Sequence, residues 1–329
     1  MKEFKLEPTV TIKKNKKSNK PKIRGFGYQV LGFGSGGGAA PVEMDYLIVA
    51  GGGGSAPLGG AGAGGFRTSF PGGTQLEFEN GTPYTVTVGS GGAAQTKGQN
   101  STFQYGTSQS LLATGGGRPN QTTQSSPQVP DKDGGSGGGG GNQGPAEAAF
   151  PQGTGGQGNA GGFSPPEGNG GGNGAHSPGP GGGVNGGGGG GGANEVGTRT
   201  QLPLPTGQGG DGSPSTISGS DVTRAGGGGA GMSGNSAQNN NAGGAGGGGA
   251  GNFGPSKGQN GQANTGGGAG AGGDGGSGAG FATGGSGVII FRAPSATTLT
   301  VTPGTNQTST APGGEKIATF TVSGTITAE

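Results

Sequence analysis

EMDYLIVAGGGG, at residues 43–54, joins an apolar run directly to a row of glycines, and GGSGVIIFR, at residues 284–292, does so in the opposite order. Each apolar run has the length, the branched side chains and the flanking glycines of a buried β-strand. Because neither run can bury itself alone, we expect the two to lie in one sheet and to close the chain between them into a domain. The domain-closing residues are Leu47, Ile48, Val49, Val288, Ile289 and Ile290.

Other short apolar stretches flank the glycines and predict further strands. Before the tract, we predict strands at Thr74–Glu79 and Pro83–Val88, joined as a tight hairpin by Asn80-Gly81. After it, the sequence predicts strands separated by Pro-Gly and Ser-Gly turns. These later strands are Thr298–Thr302, Ile317–Val322 and Gly324–Thr327.

Glycine dominates the chain between the two closing strands. It supplies 96 of 329 residues, and hydrophobic residues make up only 25%. Burial of apolar surface, at about 25 cal/mol per Å², then cannot offset the entropy lost on ordering the chain. The tract from Gly51 to Gly287 has no strict Gly-X-Y period, which excludes collagen. A flexible linker is the usual interpretation of such composition, but a structureless loop of this length inside one sheet is uncommon.

The N-terminus differs from the rest of the chain in charge. Residues 1–24 hold nine basic residues against Glu3 and Glu7, a net charge of +7, which leaves −5 on the remainder of a chain whose total is +2. A short β-like run, Thr9–Ile12, precedes the basic cluster. Three interpretations are open: nonspecific nucleic-acid binding, anchoring to an acidic protein surface, and a solvated tail. The candidate anchoring residues are Lys13, Lys14, Lys16, Lys17, Lys20, Lys22 and Arg24.

Residues that could support catalysis or cofactor binding are sparse. The chain has no cysteine, and His176 is its sole histidine, in GAHSPGP. Gly51–Ala56 after a strand resembles a dinucleotide-binding fingerprint, but the following residues lack the helix that this fingerprint requires. We therefore expect no enzymatic activity, no cofactor and no metal site. The sequence also shows neither the apolar stretch of a signal peptide nor that of a membrane span.

Aromatic residues recur at irregular spacing through the tract. They could wedge packed backbone segments together, or they could form contact platforms at loop tips. We favour the structural role for most of them. The residues are Phe66, Phe70, Phe103, Tyr105, Phe150, Phe163, Phe253 and Phe281.

The order of strand and glycine motifs resembles a known family. EMDYLIVAGGGG, YTVTVGSGG (84–92), a long glycine tract, GGSGVIIFR and EKIATFTVSGTIT (315–327) are similar to the glycine-rich domain of phage virion and tail-fibre proteins. The resemblance implies a tract of packed polyproline-II-like glycine helices whose connecting loops touch a host receptor. Such helices have no internal hydrogen bonds, so each backbone group needs a partner on a neighbouring helix, and glycine permits that close approach.

Together these observations predict a mainly β fold with a polyglycine-II or polyproline-II-like bundle and essentially no α-helix. We expect a basic anchoring arm (1–24), a β-rich segment (25–90), a packed-helix tract (91–287) and closing strands (288–329). The expected function is structural and adhesive: a phage tail-fibre or appendage component at the virion surface, assembled in the host cytoplasm. Its expected partners are other virion proteins, copies of itself, and a host glycan or outer-membrane protein, without specific nucleic acid. The alternative is a capsid decoration protein or a subunit of a surface filament.

Overall fold

The computed structural model describes residues 40–106, 109–122, 130–142, 153–177, 184–200, 207–233, 241–254, 256–273 and 281–329. These residues form β-strands, extended glycine-rich segments and one 3₁₀ turn at Pro130–Lys132, with no α-helix among them. The expectation of a mainly β fold with essentially no α-helix is confirmed.

In chain order the strands are β1 (Val42–Val49), β2 (Phe66–Thr68), β3 (Leu76–Phe78), β4 (Tyr84–Thr87), β5 (Ser101–Gln104), β6 (Ser110–Ala113), β7 (Asn120–Thr122), β8 (Gly140–Asn142), β9 (Ala175–Ser177), β10 (Val184–Gly186), β11 (Ser213–Ser215), β12 (Val222–Arg224), β13 (Val288–Ala293), β14 (Leu299–Thr302), β15 (Gln307–Thr310), β16 (Lys316–Phe320) and β17 (Gly324–Ala328).

The two most apolar strands lie side by side at the centre of a six-stranded sheet. Its order is β15-β16-β13-β1-β2, and β3 pairs with the first part of β1. The antiparallel register between β1 and β13 places Leu47 opposite Ile290 and Val49 opposite Val288. All four of these side chains are buried, with at most 2% of their surface exposed. The structure thus brings the domain-closing residues together across the whole glycine tract.

A second, five-stranded sheet, in the order β14-β17-β4-β5-β6, covers one face of the first. Side chains alternate between the two faces of a strand, so Ile48 of β1 points into this layer whereas its neighbours point away. The core between the sheets is aromatic: the ring of Phe103 stacks on that of Phe78, with centroids 5.2 Å apart, and contacts the ring of Phe291 in a tilted arrangement, with centroids 4.7 Å apart. These rings are fully buried and form the largest apolar cluster of the described residues.

The opposite face of the six-stranded sheet is also covered. Leu47 and Ile290 pack there with Ile217, from the turn between β11 and β12, and with Ala63 and Ala225 from glycine-rich segments. A strand buried on both faces reads as a continuous apolar run, which accounts for the sequence LIVA after Tyr46.

The glycine-rich segments are cross-linked by backbone hydrogen bonds that repeat every three residues. In the segment 60–65, the N–H groups turn in succession towards three neighbouring segments and then towards the same three again. The donor and acceptor pairs are Gly60 to Gly188, Ala61 to Ala269 and Gly62 to Gly117, followed by Ala63 to Gly191, Gly64 to Gly266 and Gly65 to Thr114, with N···O distances of 2.8–3.0 Å. The segment 50–55 repeats the pattern with its own three neighbours.

Close approach of the segments requires glycine at specific positions. A Cβ atom added at Gly188 would lie within 3.0 Å of both the carbonyl carbon and the carbonyl oxygen of Gly172. The same holds at Gly52 against the backbone of Gly267. Real Cβ atoms essentially never approach backbone atoms so closely, hence cohesion here depends on the missing side chain.

The predicted hairpin at Asn80-Gly81 is wrong, although a turn is present. Gly81 has φ of 73° and the Thr82 amide donates to the Glu79 carbonyl at 3.1 Å. The strands on either side, β3 and β4, belong to different sheets. A two-residue hairpin of the Asn-Gly type needs positive φ at both central residues, and here Asn80 does not adopt it, so the strands diverge.

Candidate functional site

The described glycine-rich segments between residues 50 and 287, which these backbone hydrogen bonds join, are called the glycine bundle below. Its end away from the sheets is called the distal end. Ala50 directly follows β1, Gly65 directly precedes β2, and the Ala50 amide donates to the Gly65 carbonyl at 3.0 Å. The turn at Leu58, midway between them, therefore marks the opposite end. Its amide donates to the Gly272 carbonyl at 3.1 Å and its carbonyl accepts from the Gly231 amide at 2.7 Å. Leu58 is 1% exposed, so the described part of this end is well packed.

Several short ladders terminate at the distal end. The parallel strands β7 and β8 finish together at Thr122 and Asn142. The antiparallel pair of β9 and β10 joins Ala175 to Gly186, and Gly186 in turn bridges to Met232. Met232 follows Gly231, whose amide donates to the Leu58 carbonyl. The bridge from Gly186 to Met232 therefore connects the β9–β10 pair with the turn at Leu58.

Besides the single residue 255, six longer gaps in the described residues are flanked by residues at this end. The chain departs after residues 122, 142, 177, 200, 233 and 273, and returns at 130, 153, 184, 207, 241 and 281. The returning segments bind back at the same end. Examples are Gly174 N–H to the Gly153 carbonyl at 2.9 Å, Ala230 N–H to the Gly207 carbonyl at 2.7 Å and the Asn241 side-chain amide to the Ala230 carbonyl at 2.9 Å.

Some of the six intervening sequences are poor in glycine, whereas 178–183 and 274–280 are rich in it. Three of the six, TQSSPQV (123–129), QGPAEAAFPQ (143–152) and QLPLPT (201–206), hold a single glycine between them and include proline, glutamine and apolar side chains. Our reading of the sequence did not single out these interruptions. The low glycine content of these three is visible in the sequence, but nothing in the sequence indicates that the residues flanking them lie at one end of the bundle.

The sequence-predicted candidates fall in different places. The anchoring residues from Lys13 to Arg24 and the run Thr9–Ile12 lie outside the described residues. The dinucleotide-like glycines lie inside the bundle: the amides of Gly51, Gly52 and Gly53 donate to the carbonyls of Gln99, Gly285 and Gly62. These N–H groups are therefore already used by backbone acceptors and are not directed towards a phosphate.

Most of the aromatic candidates serve packing. Phe103 is fully buried in the core between the sheets and Tyr105 packs against it, while Phe66 and Phe70 pack on the other face of the first sheet. Phe163 lies under the guanidinium of Arg67. Phe150 lies outside the described residues.

Two buried ionisable groups are compensated in different ways. Glu167 is 1% exposed, and its Oε2 accepts from the Thr114 amide at 2.9 Å. Arg224 is 8% exposed, its Nη1 donates to the Val222 carbonyl at 3.4 Å, and burial lowers the pKa of its guanidinium. Within the described ranges, no group of three or more His, Cys, Asp or Glu side chains could hold a metal ion. A helix long and apolar enough to cross a membrane does not occur in the described part of the chain.

Comparison with known proteins places the chain by its glycine-rich body. The model of a family described as a glycine-rich domain matches residues 38–294, from just before β1 to just after β13. No curated protein and no solved structure matches the chain. The matched range covers most of the sequence and ends with the two paired closing strands, so the chain belongs to the glycine-rich domain family.

Proposed function

We propose that the glycine-rich segments form a polyglycine-II bundle and that this bundle is a rigid support. The three-residue hydrogen-bond period supports the first part, because a polyproline-II-type helix has three residues per turn and no internal hydrogen bonds. Each residue of such a helix then points its N–H to one of three neighbours, as residues 60–65 do. Obligatory glycine at close approaches, such as Gly188 beside Gly172, supports it further.

In this proposal the protein is a non-enzymatic component of the virion surface. It is part of a phage tail fibre or appendage, and the bundle supports the segments that recognise the host. One observation supports this function above the others: the described residues on either side of six internal segments lie at a single end of the bundle, and three of those segments are poor in glycine. Recognition residues are commonly borne by loops that a rigid scaffold positions. A cross-linked bundle holds the flanking residues of all six segments at fixed separations.

The other end of the described body suits attachment. β1 runs from Val42 towards the bundle, so its first residue lies at the end of the sheet remote from the distal end. In this proposal the basic segment 1–24 precedes that strand and binds an acidic surface of the particle. Attachment and recognition then use separate parts of the same chain.

The test is the position of the chain on a particle. Antibodies raised against QLPLPT (201–206) and against the N-terminal KKNKKSNKPK (13–22) would be used to label purified virions of the source phage for electron microscopy. We expect the first antibody to label the tips of tail appendages and to block adsorption to host cells. Labelling over the whole capsid would instead indicate the decoration protein, and absence of the chain from purified particles would refute both.

A further inference from the structure

A cleft at the edge of the six-stranded sheet contains an arginine without an acidic partner. The cleft has a volume of about 240 Å³ and is lined by Tyr46 of β1, Phe66, Arg67 and Thr68 of β2, and the loop Ser164–Pro166. In the described part of the chain the one ion pair joins Arg292 and Glu315, so Arg67 has no carboxylate within salt-bridge distance there. Because Arg67 is only half-buried, its guanidinium can remain charged without a protein carboxylate.

The guanidinium of Arg67 is nevertheless held in place. Its Cζ lies 3.8 Å from the centroid of the Phe163 ring, so one face of the group is stacked. One nitrogen, Nη1, donates to the carbonyl of Leu112 on β6, the edge strand of the other sheet. The other N–H donors of the guanidinium can bind a ligand, and these two contacts already fix their position.

The nearest buried acid does not neutralise Arg67. Glu167 follows the cleft loop, but its Oε2 accepts from the Thr114 amide at 2.9 Å and its Oε1 from the Gly161 amide at 3.4 Å. Its carboxylate thus compensates backbone N–H groups on the inner side of the loop. The positive charge of Arg67 remains available to a ligand.

The walls of the cleft combine flat apolar surfaces with the hydroxyls of Tyr46, Thr68 and Ser164. Phe66, Pro165 and Pro166 present rings, and Tyr46 presents a phenol. Burial raises the pKa of the Tyr46 phenol, with Arg67 acting in the opposite direction, so its hydroxyl stays protonated and can donate a hydrogen bond. The volume is below the roughly 300 Å³ at which pockets for drug-sized ligands begin, and it suits a single sugar ring.

We propose that this cleft, formed by Tyr46, Phe66, Arg67 and the loop Ser164–Pro166, binds a carboxylate-bearing sugar unit of an acidic polysaccharide. The forked guanidinium matches a carboxylate, and the ring walls match the apolar face of a sugar. The cleft lies at the edge of the sheet rather than at the distal end. The sugar-binding proposal can therefore be refuted without refuting the recognition function proposed above, and the reverse.

The test is a ligand-observed NMR titration of the full-length protein with glucuronate as the probe. Glucose, acetate and inorganic phosphate are titrated in parallel, to separate the contributions of charge and of the sugar ring. We expect glucuronate to bind at least tenfold more tightly than each of the three. Equal binding of glucose would refute the role of the charge, and equal binding of acetate or phosphate would refute recognition of the ring.

Three variants connect the binding to the cleft. Arg67→Gln should lose at least tenfold in glucuronate affinity, whereas Arg67→Lys, which keeps the charge but not the fork, and Tyr46→Phe should each lose less. Lys257→Gln, at an exposed position elsewhere, removes one positive charge as a control and should bind as the wild type does. If Arg67→Gln does not fold, the Arg67→Lys and Tyr46→Phe titrations decide the matter. Wild-type affinity in both of these, or in a folded Arg67→Gln, would overturn the proposal.

Discussion

The hydroxyl of Ser55 donates to the carbonyl of Ala282 at 3.2 Å and accepts from the amide of the same residue at 2.8 Å, although 227 positions of sequence separate the two. Ser55 is fully buried. Near the distal end, this reciprocal pair joins the first glycine-rich segment to the last, just as β1 and β13 join them at the sheet. The glycine tract is therefore closed by a specific contact at each end.

The first prediction concerns that contact. Ser55→Ala leaves the buried Ala282 amide without its acceptor, so we expect the free energy of unfolding to fall by about 1–3 kcal/mol. Chemical denaturation followed by circular dichroism measures the change. Ser90→Ala, at an exposed position, is the matched control and should change little. Equal stability of the two variants would show that the contact does not contribute.

The second prediction concerns close packing of the bundle. Gly188→Ala places a Cβ against the backbone of Gly172, which has no flexible atoms to yield, so we expect a loss of about 1–3 kcal/mol or more. Gly304→Ala is the control, because a Cβ at Gly304 meets no atom within 4 Å. Urea unfolding midpoints should separate the two variants clearly. A tolerant Gly188 would contradict the packing described for the bundle.

The third prediction concerns acid sensitivity. The amide of Glu315 itself, and then the guanidinium of Arg292 at 3.1 Å, hold the pKa of the Glu315 carboxyl below its usual 4.5. A lowered pKa in the folded state means that this stabilisation is present above pH 4.5 and is lost as the pH falls through the folded-state value. The effect should be small because the carboxylate is accessible to solvent.

Thermal unfolding across the acidic range tests that prediction. Glu315→Gln should lower the melting temperature slightly at neutral pH and should approach the wild-type value as the solution is acidified. Glu195→Gln, at an exposed position, serves as the control. A constant difference between Glu315→Gln and the wild type at every pH would argue against a contribution from the charge.

The fourth prediction concerns the basic arm. Deleting residues 1–24 should leave the body folded, because the compact unit begins at Ala40. The truncated chain should fail to assemble onto the particle, and binding by the intact chain should weaken with salt, since the arm has a net charge of +7. Co-purification with virions at two salt concentrations measures both effects. Wild-type incorporation of the truncated chain would disprove anchoring by the arm.

The central strands could be predicted because their own residues specify them. Leu47–Val49 and Val288–Ile290 are continuous apolar runs, and such runs must be buried wherever the chain places them. The apolar run Met44–Ala50 predicts this strand, and the observed β1, Val42–Val49, starts two residues earlier and ends one residue earlier. Edges of this kind depend on the pairing strand, here β3, more than on the residues themselves.

Strands with few apolar residues were not predicted, because their formation also depends on the strands that pair with them. β5, Ser101–Gln104, has only one large apolar residue, Phe103, and β15, Gln307–Thr310, is exposed along its whole length. Each is a strand because a neighbour offers its backbone hydrogen bonds, β4 and β6 in the first case and β16 in the second. No pattern within four residues can report such a neighbour.

By itself, the sequence determined that the chain is glycine-rich and that its described residues are mainly β with essentially no α-helix, because composition and apolar runs act locally and need no knowledge of partners. The tertiary structure decided which glycine segment lies beside which, that Asn80-Gly81 sends its strands to different sheets, and that Leu58, Gly231 and Gly272 meet at the distal end. The physical reason is that glycines are interchangeable as donors and acceptors. Gly60 bonds to Gly188 rather than to another glycine because the whole bundle, closed by β1 and β13, brings those two backbones together.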